Sequence, residues 1–427
     1  MPPPLCLPQF GRAAKGILGS RGATSGTDAA AAAHCVPALP QDLLAEILVR
    51  VPQDVAFLFR CALVCKRWRR LLADPAFLCR LFSDAGQSSL LGFFVQRKRP
   101  SVTAWRTVAN IFNFKSRVPA FVPAPGSALG PRRRFLTSFV SSSAAASGLL
   151  DNAEPLAERG GLVLLRVFPR GAAGGHKMFS LCVCSLLTGK LDVLPPLDAA
   201  ACFDGEGVRG YAVLPSGDLG PVPQQQPADG YSNLCQVLLV GVDSGGKQLN
   251  VHSFSTAATA PQNWLIGTAY SFSGDAGLIS GPFGSNVATV CCGTAHWLFQ
   301  LNDPTTGPAM FTVDVNVHTG EVCAYKRPVD WSSAGHVRLL YQKDNRLVLR
   351  TVQGQVEMLL ATMSVAEKSD SALMFLSSYP GYAYLLDLQS KSMTMLAGWS
   401  ESFNYKTAVP FEINWPELFM SRLGVQM

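Results

Sequence analysis

Two textures of apolar and polar positions divide this chain. Between Leu39 and Phe82, apolar residues recur at spacings of three and four, the period of an amphipathic helix. Leu43, Leu44, Ile47, Leu48 and Val51 form one such face. Pro40 suits an entry to a helix, where its missing N–H has no partner to lose, and Pro52 ends that helix or kinks it just beforehand. A second face gathers Phe57, Leu58, Cys61, Val64, Cys65, Trp68, Leu71 and Leu72, with Asp54 as its cap and Asp74-Pro75 as its stop. A short third turn carries Phe77, Leu78 and Leu81. Lys66, Arg67, Arg69 and Arg70 surround Trp68 on the opposite side. So short a stretch buries too little apolar area to stand firmly alone, so the rest of the chain or a second protein is expected to cover part of it.

From about Gly160 the texture changes to short β-runs. Phe179 to Leu187 leads through Thr188-Gly189-Lys190 into Leu191 to Leu197, an apolar run, a turn and a second run. Met310 to Val317 and Tyr382 to Leu388 lead through similar turns into further runs, and Leu249 to Phe254 is a weaker copy. The turns near 189, 256, 320 and 391 are 67, 64 and 71 residues apart. Another β-run precedes each of them, at 161–167, 236–243, 287–300 and 346–360. The pattern predicts units of four strands over about 65 residues, repeated radially, with loops at 215–230 and 361–372. A β-sandwich or an irregular β domain is the alternative. Residues 83–160 read as loops with a strand or two, Leu90 to Val95 being one candidate.

On periodicity alone the helical stretch also fits an ordinary helical hairpin, or a DNA-reading helix-turn-helix with a basic second helix. The residue order narrows this. Leu39-Pro40, Asp42-Leu43-Leu44, Glu46-Ile47-Leu48, Val51-Pro52, Val64-Cys65-Lys66-Arg67-Trp68 and Asp74-Pro75-Ala76-Phe77 follow in order over about a tenth of the chain, and the stretch resembles an F-box. The resemblance implies a bundle of three helices docked on a Skp-type adaptor, which links it to a cullin–RING ubiquitin ligase. It implies adaptor contacts by Leu39, Pro40, Leu43, Ile47 and Leu48. Leu44, Val51, Pro52, Val64 and Trp68 complete the adaptor-binding set, with Val64, Trp68 and Leu72 largely in the core. Cys184 to Gly189 with Leu194-Pro195-Pro196-Leu197 resembles the kelch-like, β-propeller-like domain that follows the F-box in plant F-box proteins. The expected division is a disordered tail at 1–35, an F-box at 36–82, a linker and transition region at 83–160, and a β-rich substrate-binding domain at 161–427. The fold class is α+β multidomain.

Composition agrees with a globular chain of two to three domains: 427 residues, 48% hydrophobic and 15% charged. No apolar run reaches the length of a bilayer span, so no membrane partner is expected. The net charge of +7 is scattered, apart from the cluster around Trp68, Arg97-Lys98-Arg99 and Arg132-Arg133-Arg134. Such clusters suit solubility, an acidic partner or a nuclear address, and by themselves they are no nucleic-acid footprint. Residues 1–35 have the composition of a flexible tail, and their Arg- and Ser-bearing, acid-poor make-up also fits an organelle transit segment. The twelve cysteines lack C-x-x-C pairing and sit mostly in apolar runs, so they read as reduced, buried thiols of a cytoplasmic or nuclear protein.

The six histidines stand in no metal or nucleophile motif, and His296-Trp297 on a β-run reads as core or rim. Gly171 to Gly175 and Gly281-Pro282-Phe283-Gly284 lack the strand-to-helix setting that phosphates require. No catalytic residue, cofactor or metal is expected. The resemblance implies a non-catalytic substrate receptor of an SCF-type ligase, whose β domain recruits an unnamed target. The alternative is a nucleic-acid-binding or other interaction factor independent of any ligase.

Overall fold

A computed structural model describes residues 39–50, 55–83, 89–98, 118–127, 129, 135–168, 178–198, 203, 207–219, 226–243, 246–267, 269–271, 278–282, 286–303, 307–327, 336–343, 346–353, 360–366, 369–376 and 381–423. The tail at 1–35, Val51, Pro52, Asp54, the 132–134 arginines and Gly171 to Gly175 lie outside the described residues. The chain divides into two compact units at Val51. In the first, helix α1 (Gln41–Arg50) begins with Leu44 N–H bonded to the Pro40 carbonyl at 3.1 Å, so Pro40 stands at the entry of the helix. Glu46 and Arg50 pair at 3.5 Å, one turn apart on the exposed side.

The second unit opens with α2 (Val55–Ala62), α3 (Lys66–Leu71) and α4 (Pro75–Ser83). The expected continuous second helix is therefore two. After Ala62 the N–H groups of Leu63 and Val64 bond to carbonyls three residues back, at Arg60 and Cys61. This tightening ends a helix. Cys65 is extended (φ −160, ψ 166), and α3 starts afresh. Val64 consequently sits on the outside of the turn, 66% exposed, and is not core. Trp68 is only half-buried. Asp74 Oδ1 caps α4 by accepting from Phe77 N at 2.8 Å, with Pro75 in the first helical position. Phe77, Leu78 and Leu81 are buried as the periodicity demands.

The remainder is an all-β domain arranged as a five-blade β-propeller. Strands β1 (Leu90–Arg97) and β2 (Ala120–Pro123) come first. The first blade follows: β3 (Glu154–Arg159), β4 (Leu162–Val167), β5 (Met178–Ser185) and β6 (Leu191–Val193), with β7 (Leu197–Asp198) also on β5. The second runs β8 (Val208–Pro215), β9 (Cys235–Val242), β10 (Gln248–Ser255) and β11 (Leu265–Ile266), with β12 (Tyr270–Ser271) on β10. The third holds β13 (Leu278–Pro282), β14 (Thr289–Cys291), β15 (Thr294–Asp303), β16 (Gly307–Asn316) and β17 (Val322–Arg327). A two-stranded hairpin, β18 (His336–Lys343) with β19 (Arg346–Gln353), stands between it and the fourth blade. The fourth is β20 (Leu360–Ala366), β21 (Ser371–Leu376), β22 (Ala383–Asp387) and β23 (Met393–Met395). The last strand, β24 (Phe403–Glu412), returns to pair with β1 in the order β2-β1-β24. This closing blade has β3 on one side and β20 on the other, so the two ends of the chain seal the ring. After β24, helix α5 (Trp415–Leu423) completes the chain's described residues.

Two sequence expectations change here. Residues 83–160 hold three strands of the propeller: β1, β2 and β3. Pro123 ends a strand at the edge of its sheet, where a missing N–H costs no ladder bond. Residues 361–372, expected as a loop from their Ser and Ala content, form most of β20 and the start of β21. Ala366 and Ala372 are fully buried there, each in one of two apolar cores.

The repeating turns are the outer hairpins of three blades, and they share one construction. Gly189 N bonds to Ser185 O and Gly320 N to Asn316 O, each glycine holding a left-handed φ of 72° or 70° that closes the turn. Lys391 adopts the same region at 59°. A short polar side chain opens each turn: Ser185 Oγ accepts from Thr188 N, Asn316 Oδ1 from His318 N and Thr319 N, and Asp387 Oδ1 from Gln389 N and Ser390 N. The Ser390 N–H foremost holds the Asp387 carboxyl below the usual carboxylate range.

Apolar cores lie between neighbouring blades. Leu164, Leu181 and Val183 of the first blade meet Val213, Val237 and Leu239 of the second. Cys235 joins that core as a small hydrophobe, Cys184 is buried as well, and burial pushes both thiols up to about 12. Asp192, 1% exposed, ties β6 to the loop before β9: its carboxylate accepts from Ser232 N (2.8 Å), Asn233 N (2.9 Å) and Asn233 Nδ2 (2.7 Å). Asp192→Ala strands these donors and is expected to lower stability by about 2–3 kcal/mol. Chemical denaturation followed by circular dichroism measures it, and an unchanged midpoint would refute the assignment.

Candidate functional site

On α1 and its lead-in, Leu39, Leu43 and Ile47 stand four residues apart and are 43%, 53% and 47% exposed. They form an apolar row turned to solvent. Pro40 is also exposed. Leu44 and Leu48, the other row of the same helix, are buried at 3% and 1%. The ten residues proposed from sequence thus divide. Leu39, Pro40, Leu43 and Ile47 are exposed together, Leu44 and Leu48 are buried, and Val51 and Pro52 fall outside the described residues. In the second unit Val64 is exposed beside Leu63 (60%), and Trp68 is half-buried.

The second unit answers what covers the helices α2–α4. Helix α5 packs on them: the Phe419 ring stacks on Phe59 at 4.3 Å and lies 5.7 Å from Phe82, and Trp415 stacks on Phe82 at 6.4 Å. Arg69, one of the basic residues around Trp68, donates from Nε to the Leu423 carbonyl at 3.2 Å and so caps the end of α5. Sequence reading missed α5 entirely. Its signal, apolar residues at Trp415, Leu418, Phe419 and Leu423, was present but short and distant from the helices it completes.

His296 Nδ1 lies 2.8 Å from Asp314 Oδ1, directly across the β15–β16 register, and neighbouring Trp297 is 1% exposed. Gly281 and Pro282 belong to β13. Among the described residues no group of three or more His, Cys, Asp or Glu side chains is assembled to hold a metal, and no helix is long and apolar enough to cross a membrane. A polar cavity of about 750 Å3 opens between the closing blade and the first blade, lined in part by Arg97, Arg166 and Lys406. The Arg97-Lys98-Arg99 run signalled one part of it, but Arg166 and Lys406 are far away in the chain.

Comparison with known proteins adds two family matches. Residues 36–83, which enclose α1–α4, match the F-box-like model. Residues 136–367 match the model of a domain of unknown function, DUF7595. No curated protein matches. Among solved structures the chain is similar to an α-L-arabinanase of Penicillium chrysogenum complexed with arabinobiose, at 8% identity over 57% of this chain and 80% of that one, with a TM-score of 0.32. It is similar also to the α-L-arabinofuranosidase Arb93A of Fusarium graminearum, at 7% identity, 57% and 79% coverage and a TM-score of 0.31. A prolyl endopeptidase shares 10% identity over 83% of this chain and 53% of that one, with a TM-score of 0.33.

Proposed function

The chain belongs to the family of the DUF7595 domain and carries an F-box-like module ahead of it, and on that premise we propose that it is the substrate-receptor subunit of an SCF-type cullin–RING ubiquitin ligase. The F-box-like match over 36–83 carries this reading. The exposed row of Leu39, Leu43 and Ile47 supports it, because an adaptor is a partner that would cover such a row. On this reading Pro40 joins that contact, and the buried Leu44 and Leu48 shape the helix behind it. The propeller holds a target protein. The subunit contributes no catalytic group; it acts by proximity, raising the effective concentration of a target lysine near the charged ubiquitin carrier. It works in the cytoplasm or the nucleus, where the free thiols of its described residues stay reduced.

Co-purification of the full chain with a Skp-type adaptor tests the reading. A stable complex is expected, and Leu43→Ala/Ile47→Ala is expected to weaken it by about tenfold or more. These side chains are exposed, so the variant should fold as the wild type does. Absence of any complex with the wild type would end the receptor reading.

A further inference from the structure

The cavity between the closing and first blades has a one-sided charge. Arg97 and Lys98 reach it from the end of β1, Lys406 from the start of β24 and Arg166 from the end of β4. Against these four cations stands one carboxylate, Glu154, which faces Arg166 across the β3–β4 register. Arg166 is held in place by aromatic rings: its guanidinium carbon lies 4.7 Å from the Phe179 ring centre and 5.1 Å from that of Phe168. Stacking engages the faces of the guanidinium, and its in-plane N–H edge is the part that addresses a carboxylate or phosphate. Lys98 Nζ stands 6.0 Å over the Tyr405 ring. Gln96 Nε2 donates to the Ala153 carbonyl at 2.6 Å, which joins the two blades beside the cavity.

Its position gives the cavity a meaning. Leu90 and Glu412 are paired at one end of the β1–β24 ladder, next to where α4 leads into β1 and β24 leads into α5. Arg97 and Phe403 are paired at the other end. Eight residues of strand span roughly 25 Å, so the cationic cavity and the helices α4 and α5 lie at opposite ends of the same two strands. A volume of about 750 Å3 suits a few residues of an extended segment. Four cations gathered in one hollow, not spread as a stripe, fit a discrete anion better than a nucleic-acid backbone.

We infer that this cavity takes an anionic side chain, carboxylate or phosphate, from a peptide segment of the recruited protein. The inference rests on the receptor reading for its partner, and on the cavity alone for its charge preference. The test offers the immobilised full chain degenerate peptides of about eight residues, with the central position fixed as Asp, Glu, phosphoserine, Ser or Lys. Retention of the acidic-centred peptides over the Ser and Lys ones by about threefold to tenfold is expected, weakening as salt is raised. Enrichment of phosphoserine alone would identify phosphate as the source, and enrichment of all three acidic positions a carboxylate. Lys98→Glu/Lys406→Glu, at two exposed positions, should abolish the preference and leave adaptor co-purification intact. Equal retention of all peptides by the wild type, or a preference that survives the double reversal, would overturn the inference. Charge selection without adaptor binding would remove the receptor reading and keep the cavity; adaptor binding without charge selection would do the reverse.

Discussion

Phe419→Ala is expected to loosen the F-box-like helices while leaving the blades intact. The Phe419 side chain is fully buried, stacked on Phe59 and packed against Phe82, so its removal leaves a cavity that short helices cannot refill. The expected cost is about 3–5 kcal/mol, confined to α2–α5. Hydrogen exchange reads this directly. Amides of α2 and α4 should exchange about a hundredfold faster or more, whereas those of β9 in the second blade should keep their protection. Phe419→Leu, which keeps most of the volume, should cost less than about 1.5 kcal/mol. Unchanged exchange in α2 and α4 would mean that α5 is an appendage and not part of their core. The functional consequence follows from the connection. Only two residues separate β24 from α5, so α5 ties the helices to the ring that is proposed to hold the target. A receptor works by fixing one partner relative to another, and this tie is where that geometry would be lost.

What the sequence discloses and what it hides follow from the range of the interactions. Features within one turn or one hairpin were legible: the helix stop at Asp74-Pro75, the buried row Phe77, Leu78 and Leu81, and the outer turns at Gly189, Gly320 and Lys391. Local hydrogen bonds fix them, and the residues that make those bonds are adjacent in the chain. Val64 misled because it fits the helical period of Cys61 and Trp68, yet the helix stops before it; a period describes a face only while the helix continues. Ala366 and Ala372 misled in the opposite direction, since composition cannot distinguish a loop from the buried end of a strand. Pairing between β1 and β24 joins residues more than 300 positions apart, and nothing in either segment names the other. The exposed row of α1 was legible as an order of residues, but its exposure, in contrast to Leu44 and Leu48, needed the fold. The cationic cavity was illegible for the same reason as the closing pair, because it is assembled from the ends of strands drawn from both extremes of the propeller.

Trp297→Ala is expected to open the seam between the second and third blades, at a cost of about 3–5 kcal/mol. Trp297 on β15 is 1% exposed and reaches across to the start of β8. Its Nε1 donates to the Asn286 carbonyl at 3.3 Å, and the same carbonyl accepts from Tyr211 N at 2.8 Å. Tyr211 also bridges to Val287 in parallel, so backbone and ring hold the two blades at one point. Gly210 is what admits the ring. A Cβ there would lie 2.7 Å from Trp297 Nε1 and 3.0 Å from its Cδ1, closer than packed atoms approach. Gly210→Ala alone should therefore cost about 1–3 kcal/mol by overpacking. The two changes should not add. With the indole gone, the methyl introduced by Gly210→Ala enters space that Trp297→Ala has emptied, and the double variant should be more stable than the sum by about 1–3 kcal/mol. Denaturant unfolding of the full chain followed by far-ultraviolet circular dichroism measures all four corners of the cycle without relying on tryptophan fluorescence. Additive costs would show that Gly210 and Trp297 do not press on one another, and the blade seam would then have to be held elsewhere.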